Sequence, residues 1–338
     1  TLANPDLKWE KSDQTNIGLD LSLFNDRVTV GMDYFIKNTK DLLYDRPLHT
    51  TTGFSSITQN IGSMRNTGFE FNVESHNIMN DRDTQFNIST IKNKLTSLID
   101  EKPIPVGNHV LQVGQPIGSF YMYKMDGIYQ DNQEVPEKLY AKGVRAGDIK
   151  YADKDNDGDL TPADKEIVGK PLPDFFGGLT NRFRYGNFDL TIFNTFSVGN
   201  DVYATGMGGI DAVGHNNYGM RKDIAANRWT GPGTNNSIPR AMISTHNTQA
   251  STYLLHDGSY FKFKDVTLGY TLPSNLTQKL NISNMRVYLS AQNLWTISSY
   301  PGYDPEVSYS VNNSKTMGED AMTVPQLRTF VCGFNLTF

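Results

Sequence analysis

Hydrophobic and polar positions alternate with a period of two along nine stretches of this chain. The first runs from Gln14 to Phe24, with Ile17, Leu19, Leu21 and Leu23 on one face and Asn16, Gly18, Asp20 and Ser22 on the other. After Asn25 and Asp26 the pattern resumes: Val28, Val30, Met32, Tyr34 and Ile36 face one way, and Thr29, Gly31, Asp33 and Lys37 the other. Successive side chains of a strand point to opposite sides, so each stretch predicts a strand with one apolar face. Comparable stretches cover 66–77, 83–97, 175–185, 188–198, 260–272, 285–295 and 327–338. The last carries Phe330, Cys332, Phe334, Leu336 and Phe338 on its apolar side and stops on an aromatic.

The connections alternate in length. Those at Asn25–Asp26, around Asn80–Asp81, at Gly186–Asn187 and over 273–283 are short; 39–65, 98–174, 199–258 and 296–325 are long and read as irregular. Short turns at one end and long loops at the other, on strands of roughly 9–11 residues, predict an all-β chain forming a transmembrane antiparallel β-barrel with long extracellular loops. Asp20, Asp33, Glu70, Glu74, Asp189 and Asp265 fall opposite the apolar face, which predicts a polar lumen. Tyr260, Tyr270 and Trp295 are expected in aromatic girdles at the strand ends. Bacterial barrels have an even strand number, and an open edge within lipid is not viable. The odd count therefore implies pairing with strands outside this chain, from further upstream in the same polypeptide.

Composition narrows the choice. The 338 residues are 38% hydrophobic yet include 17 Tyr and 18 Phe, which suits β-structure with polar loops. No stretch approaches the ~18 consecutive apolar residues of a membrane-spanning helix. A net charge of −5 without a basic stripe argues against nucleic acid as a partner. Cys332 is the one cysteine, so no internal disulfide forms. The opening Thr1-Leu2-Ala3, without Met, reads as the remainder of something longer.

Several stretches, in order along the chain, resemble SusC-like (RagA-like) TonB-dependent outer-membrane transporters. They include Asn4-Pro5-Asp6-Leu7-Lys8-Trp9-Glu10, Asn66-Thr67-Gly68-Phe69-Glu70, Gly127-Ile128-Tyr129-Gln130, Asn227-Arg228-Trp229-Thr230, Val266-Thr267-Leu268-Gly269-Tyr270, Ala291-Gln292-Asn293-Leu294-Trp295 and the terminal Asn335-Leu336-Thr337-Phe338. The resemblance covers residues 1–338 and implies the C-terminal part of a barrel of about 22 strands, in the outer membrane of Bacteroidetes-type bacteria. The plug domain and the TonB box are absent from this sequence. It also implies a transporter and not an enzyme, importing oligosaccharides with a SusD-like surface lipoprotein and driven through TonB. Three alternatives stay open: import of oligopeptides by the same kind of complex, a siderophore or cobalamin receptor without a lipoprotein, and a soluble calcium-binding carbohydrate-active β-protein.

Two groups of residues are candidates for ligand chemistry. Within the long loop 98–174, residues 153–164 follow EF-hand spacing. Asp153, Asp155 and Asp157 stand at positions 1, 3 and 5, Gly158 at 6, Asp159 at 7, Leu160 at 8 and Asp164 at 12. Hard oxygen ligands in a flexible loop point to Ca²⁺ in a structural role, with Asp159 contributing its carbonyl; the competing reading is a solvated acidic turn. Thr161 and Pro162 are expected to cap and start a short helical turn, and Leu160 to point inward. Aromatic residues in the long loops, Phe54, Tyr203, Tyr218, Trp229 and Tyr303, are candidates for contacting substrate, or else pack the loops together. The six histidines show no metal-binding spacing.

Overall fold

The computed structural model describes residues 2–78, 82–208, 219–242, 246–277, 282–309 and 313–338. All nine predicted strands form one sheet. In chain order they are β1 (Lys11–Leu23), β2 (Val28–Lys40), β3 (Gly62–Ile78), β4 (Arg82–Leu98), β5 (Phe175–Tyr185), β6 (Phe188–Val198), β7 (Tyr260–Thr271), β8 (Asn284–Ser298) and β9 (Thr329–Thr337). Each pairs antiparallel with the next, in strict sequence order, so β1 and β9 lie at the two edges.

Register makes the two faces continuous. Leu19 lies opposite Met32, Met32 opposite Phe71 and Phe71 opposite Ile88. On the other side of the arc Leu190, Leu268, Leu289 and Cys332 follow in the same way. A one-residue slip anywhere would turn a strand's apolar set to the wrong face, so this alignment specifies the pairing. These side chains are not covered by protein: Leu19 is 50% exposed, Leu289 52% and Phe334 65%. A connected apolar face of that extent needs lipid against it. The opposite face carries Asp33 beside Glu70, and Gln85 donates to Glu74 at 2.9 Å. Phe35 also turns to that face, and its ring lies across Gly68, where any Cβ would collide with it.

Aromatic pairs stand at both rims of the apolar face. Phe188 and Tyr270 are 4.7 Å apart at the turn end, and Phe263 stacks on Trp295 at 6.0 Å at the loop end. Tyr270 and Trp295 thus sit as expected for girdles, but Tyr260 does not. A bulge in β7, between Phe263 and Asp265, changes the phase of the strand. Tyr260 therefore shares its face with Lys262 and turns to the lumen.

The long loops correct a second expectation. They are a folded layer. Residues 43–47 and 56–60 form a hairpin, and a four-stranded sheet combines 104–106, 109–111, 119–122 and 166–169. Residues 125–128 pair with 149–151, and 201–203 with 255–257. Nearly all the fully buried apolar side chains belong to this layer or to the strand ends beneath it, among them Phe120, Met122, Ile149, Leu111 and Val202. The water-excluded core of the described residues is therefore in the loops, while the sheet keeps its apolar side chains for the bilayer.

Candidate functional site in the loop layer

The acidic loop is built from backbone turns. Gly158, at φ +74°, and Asn156, at φ +56°, take left-handed conformations that bring the chain back on itself. Asp153 accepts the amides of Asp157 at 3.2 Å and Gly158 at 2.9 Å. Thr161 caps a short 3₁₀ turn over Pro162–Asp164, and Asp164 completes a capping box by accepting the Thr161 amide at 2.8 Å. Leu160 packs inward against the clusters around Ile128 and Leu139. Of the five candidate ligands, the carboxylates of Asp153, Asp155 and Asp164 lie within 4.8 Å of one another. Asp157 and Asp159 stand apart from that group, their carboxylates paired with Lys138 at 3.3 Å and Lys142 at 2.7 Å. Burial raises the Asp155 carboxyl above its usual range, and the charges of Asp157, Asp164 and Asp153 add to this, against a backbone hydrogen bond from Asp157.

The candidate aromatic residues divide. Phe54 and Tyr303 are exposed, with Tyr303 at 76%. Tyr203 is buried in a cluster with Phe120 and Met122, so its ring holds the layer together and has no free face for a ligand. Burial pushes its phenol up to about 12. Trp229 is wedged between loops: its Nε1 donates to Gln130 at 3.1 Å, and a Cβ on Gly147 would stand 2.5 Å from its ring. Gly147, at φ +90°, thus meets two demands that only glycine satisfies. Tyr218 lies outside the described residues.

Three charged groups that the sequence did not point to join the loops. Asp148, whose side chain is 1% exposed, receives a bidentate pair of bonds from Arg240 at 2.8 and 2.9 Å and a third from Asn247 at 3.0 Å. Lys262, 1% exposed, reaches Asp304 at 2.9 Å and Glu306 at 2.7 Å, and Lys264 also binds Glu306 at 3.0 Å. The β7 bulge lets both lysines reach the same carboxylate. His109, fully buried, contacts the Gly118 carbonyl at 2.8 Å and Glu319 at 3.1 Å. Burial works to raise the Glu319 carboxyl, but hydrogen bonds from His109 and Asn108 outweigh it and hold it below the usual range. The Asp148 contacts tie the second loop to the third, while the Lys262 and His109 contacts tie Asp304, Glu306 and Glu319 of the fourth loop to the wall and to the second loop.

A wall with lipid on one side, charge on the other and a folded layer over one end is the frame of an outer-membrane receptor. The family described as "TonB dependent receptor-like, beta-barrel" matches residues 1–294. The chain belongs to that family. TonB-dependent receptor P3 of Formosa agariphila is 36% identical over 99% of this chain, and TonB-dependent receptor SusC of Bacteroides thetaiotaomicron is 30% identical over 99%. The RagAB peptide importer in its closed-closed state superposes over all of this chain with a TM-score of 0.82 and 26% identity. The chain spans 35% of the length of receptor P3, 32% of SusC and 36% of the RagAB chain. Membership in this TonB-dependent receptor family places the barrel in the outer membrane and sets the long loops on the extracellular side. It is a family of receptors and transporters, not of enzymes.

The Glu319 link gives this receptor layer an acid-sensitive joint. A carboxylate whose pKa is lowered on folding contributes stability above its unfolded pKa, and that contribution is lost as pH falls through the folded value. Hydrogen exchange in 299–328 should therefore rise as pH drops below the usual carboxylate range. Glu319→Gln should flatten that dependence; an unchanged acid profile in the variant would assign it to other groups.

Proposed function

We propose that this chain is the C-terminal part of a SusC-like transporter that imports oligosaccharides across the outer membrane, driven through TonB and capped by a SusD-like surface lipoprotein. The observation that carries the reading is similarity over 99% of this chain to a part of SusC in sequence, and over all of it to a part of the RagAB structure in fold. Upstream strands and a plug of the same polypeptide would complete the barrel on the free edges of β1 and β9. A second reading, import of oligopeptides, is favoured by the neighbour being a peptide importer. Cells lacking the full-length protein should lose uptake of a neutral oligosaccharide, and the purified protein should retain a lipoprotein. Loss of peptide uptake alone would favour the second reading. Loss of ferric siderophore or cobalamin uptake, with no lipoprotein retained, would leave the simpler receptor.

We also propose that Ca²⁺ binds the extracellular loop at Asp153, Asp155 and Asp164. The donor set fits a hard cation: three carboxylates converge within 4.8 Å and offer only oxygen ligands. The ion would supply structural order, with no role in a reaction. Chelation, or Asp153→Ala with Asp155→Ala, should increase protease nicking between Lys150 and Lys170. The loop is already held by its turns, by Lys138 and Lys142 and by Leu160, so the increase should stay confined to that segment. If chelation changes nothing, the acidic-turn reading stands.

A further inference from the structure

A cavity of about 310 Å³ opens where the extracellular ends of β6 and β7 meet the second, third and fourth loops. Ser197 and Tyr260 are cross-strand partners at its floor, on the luminal face that also carries Lys262. Pro171, Pro173 and Pro305 line its sides, and Glu306 and Asp201 supply carboxylates. Its volume lies at the lower end of the ~300–1,000 Å³ range of ligand pockets, enough for one ring-sized unit.

The lining decides what kind of unit fits. Tyrosine offers a flat aromatic face, and the proline rings offer compact apolar ones with little rotamer freedom to lose on contact. Carboxylates only accept hydrogen bonds and have several lone pairs to offer. Asp201 uses one oxygen on the Lys170 amide at 2.9 Å, and Glu306 keeps 29% of its side chain exposed. Charge separates a sugar from a cationic peptide side chain. Lys262 and Lys264 match the charges of Asp304 and Glu306, so an incoming ammonium or guanidinium would find only Asp201 to neutralise it. Hydroxyl donors need no counter-charge and can use the remaining lone pairs of both Glu306 and Asp201. Burial also raises the Asp201 carboxyl; the Lys170 amide works against this and Asp257 adds to it.

We infer that this cavity is a subsite for one ring of a neutral saccharide, with Tyr260 and the prolines against its C–H faces and Glu306 and Asp201 accepting from its hydroxyls. The inference rests on the oligosaccharide-import reading. Its test uses the full-length transporter in detergent, titrated calorimetrically with malto-, xylo- and mannan-derived oligosaccharides and, separately, with a mixed oligopeptide library. Tyr260→Ala should weaken saccharide binding about tenfold, the loss of one aromatic face, and Tyr260→Phe should retain it. Ser308→Trp, which fills the cavity from the fourth loop, should abolish it while heat-modifiable gel mobility shows an intact barrel. Wild-type saccharide binding that survives both Tyr260→Ala and Ser308→Trp would overturn the subsite and leave the import reading standing. Peptide binding lost in these variants, with no saccharide bound, would overturn the saccharide assignment. A wild type that neither binds nor imports any saccharide would remove the import reading and the subsite with it.

Discussion

Replacing Lys262 with methionine should release the fourth extracellular loop from the barrel wall. The ammonium is 1% exposed and the Asp304 carboxylate beside it 7%. Removing one member of a buried pair leaves the charge of the other uncompensated, at a cost of about 3–5 kcal/mol. Lys264 still neutralises Glu306 in the variant, whereas Asp304 keeps only a neutral donor, the Glu306 amide at 3.0 Å. The expected readout is faster proteolysis within 299–328 in the folded, membrane-inserted protein, with the wall intact. Asp304→Asn on top of Lys262→Met should recover part of the loss, because the amide needs no counter-charge. Equal cleavage in wild type and Lys262→Met would mean that the loop is held by its other contacts alone.

Arg240→Ala should loosen the second loop from the third by a comparable amount. Asp148 is buried more deeply than Asp304, and Arg240 supplies two of the side-chain bonds to it. Asn247 would remain, as would the Arg145 amide at 2.9 Å. Two neutral donors do not balance a buried carboxylate, so about 3–5 kcal/mol is again at stake. Hydrogen exchange should accelerate around 144–151 and 238–248 together, whereas a purely local role for Arg240 would accelerate only the second segment. Asp148→Asn should be milder than Arg240→Ala, since it removes the charge that needs burying.

The wall was legible in the sequence because lipid and lumen impose a strict period of two on long strands. From Ile17–Leu23 to Phe330–Phe338 the alternation marked every strand, and the observed boundaries differ from it by a few residues at the ends. The loop layer was not legible, because strands of three to five residues, such as 104–106 and 149–151, are too short to show a period. Their order comes from partners far away: Arg240 finds Asp148 across 92 positions, and Lys262 finds Asp304 across 42. Spacing within a single turn was readable, which is why Thr161, Pro162 and Leu160 fell where expected. The same spacing could not show that Lys138 and Lys142 occupy Asp157 and Asp159. Tyr260 departs from the sequence pattern for a local reason: one bulged residue reverses parity, and nothing in the residues around Lys264 announces it.

The separation of the two apolar surfaces has a calorimetric consequence. The loop layer buries Phe120, Met122, Ile149 and their neighbours away from water, so melting it exposes apolar surface to water and must raise the heat capacity. The wall's apolar residues face hydrocarbon in the native state and keep hydrocarbon contact for as long as detergent or lipid stays bound. Heating a detergent-solubilised receptor should therefore give a lower transition with a positive heat-capacity step, from the loops, and a higher one with little step, from the wall. Cooling should weaken only the first, because only there does the driving force come from ordering water around apolar groups.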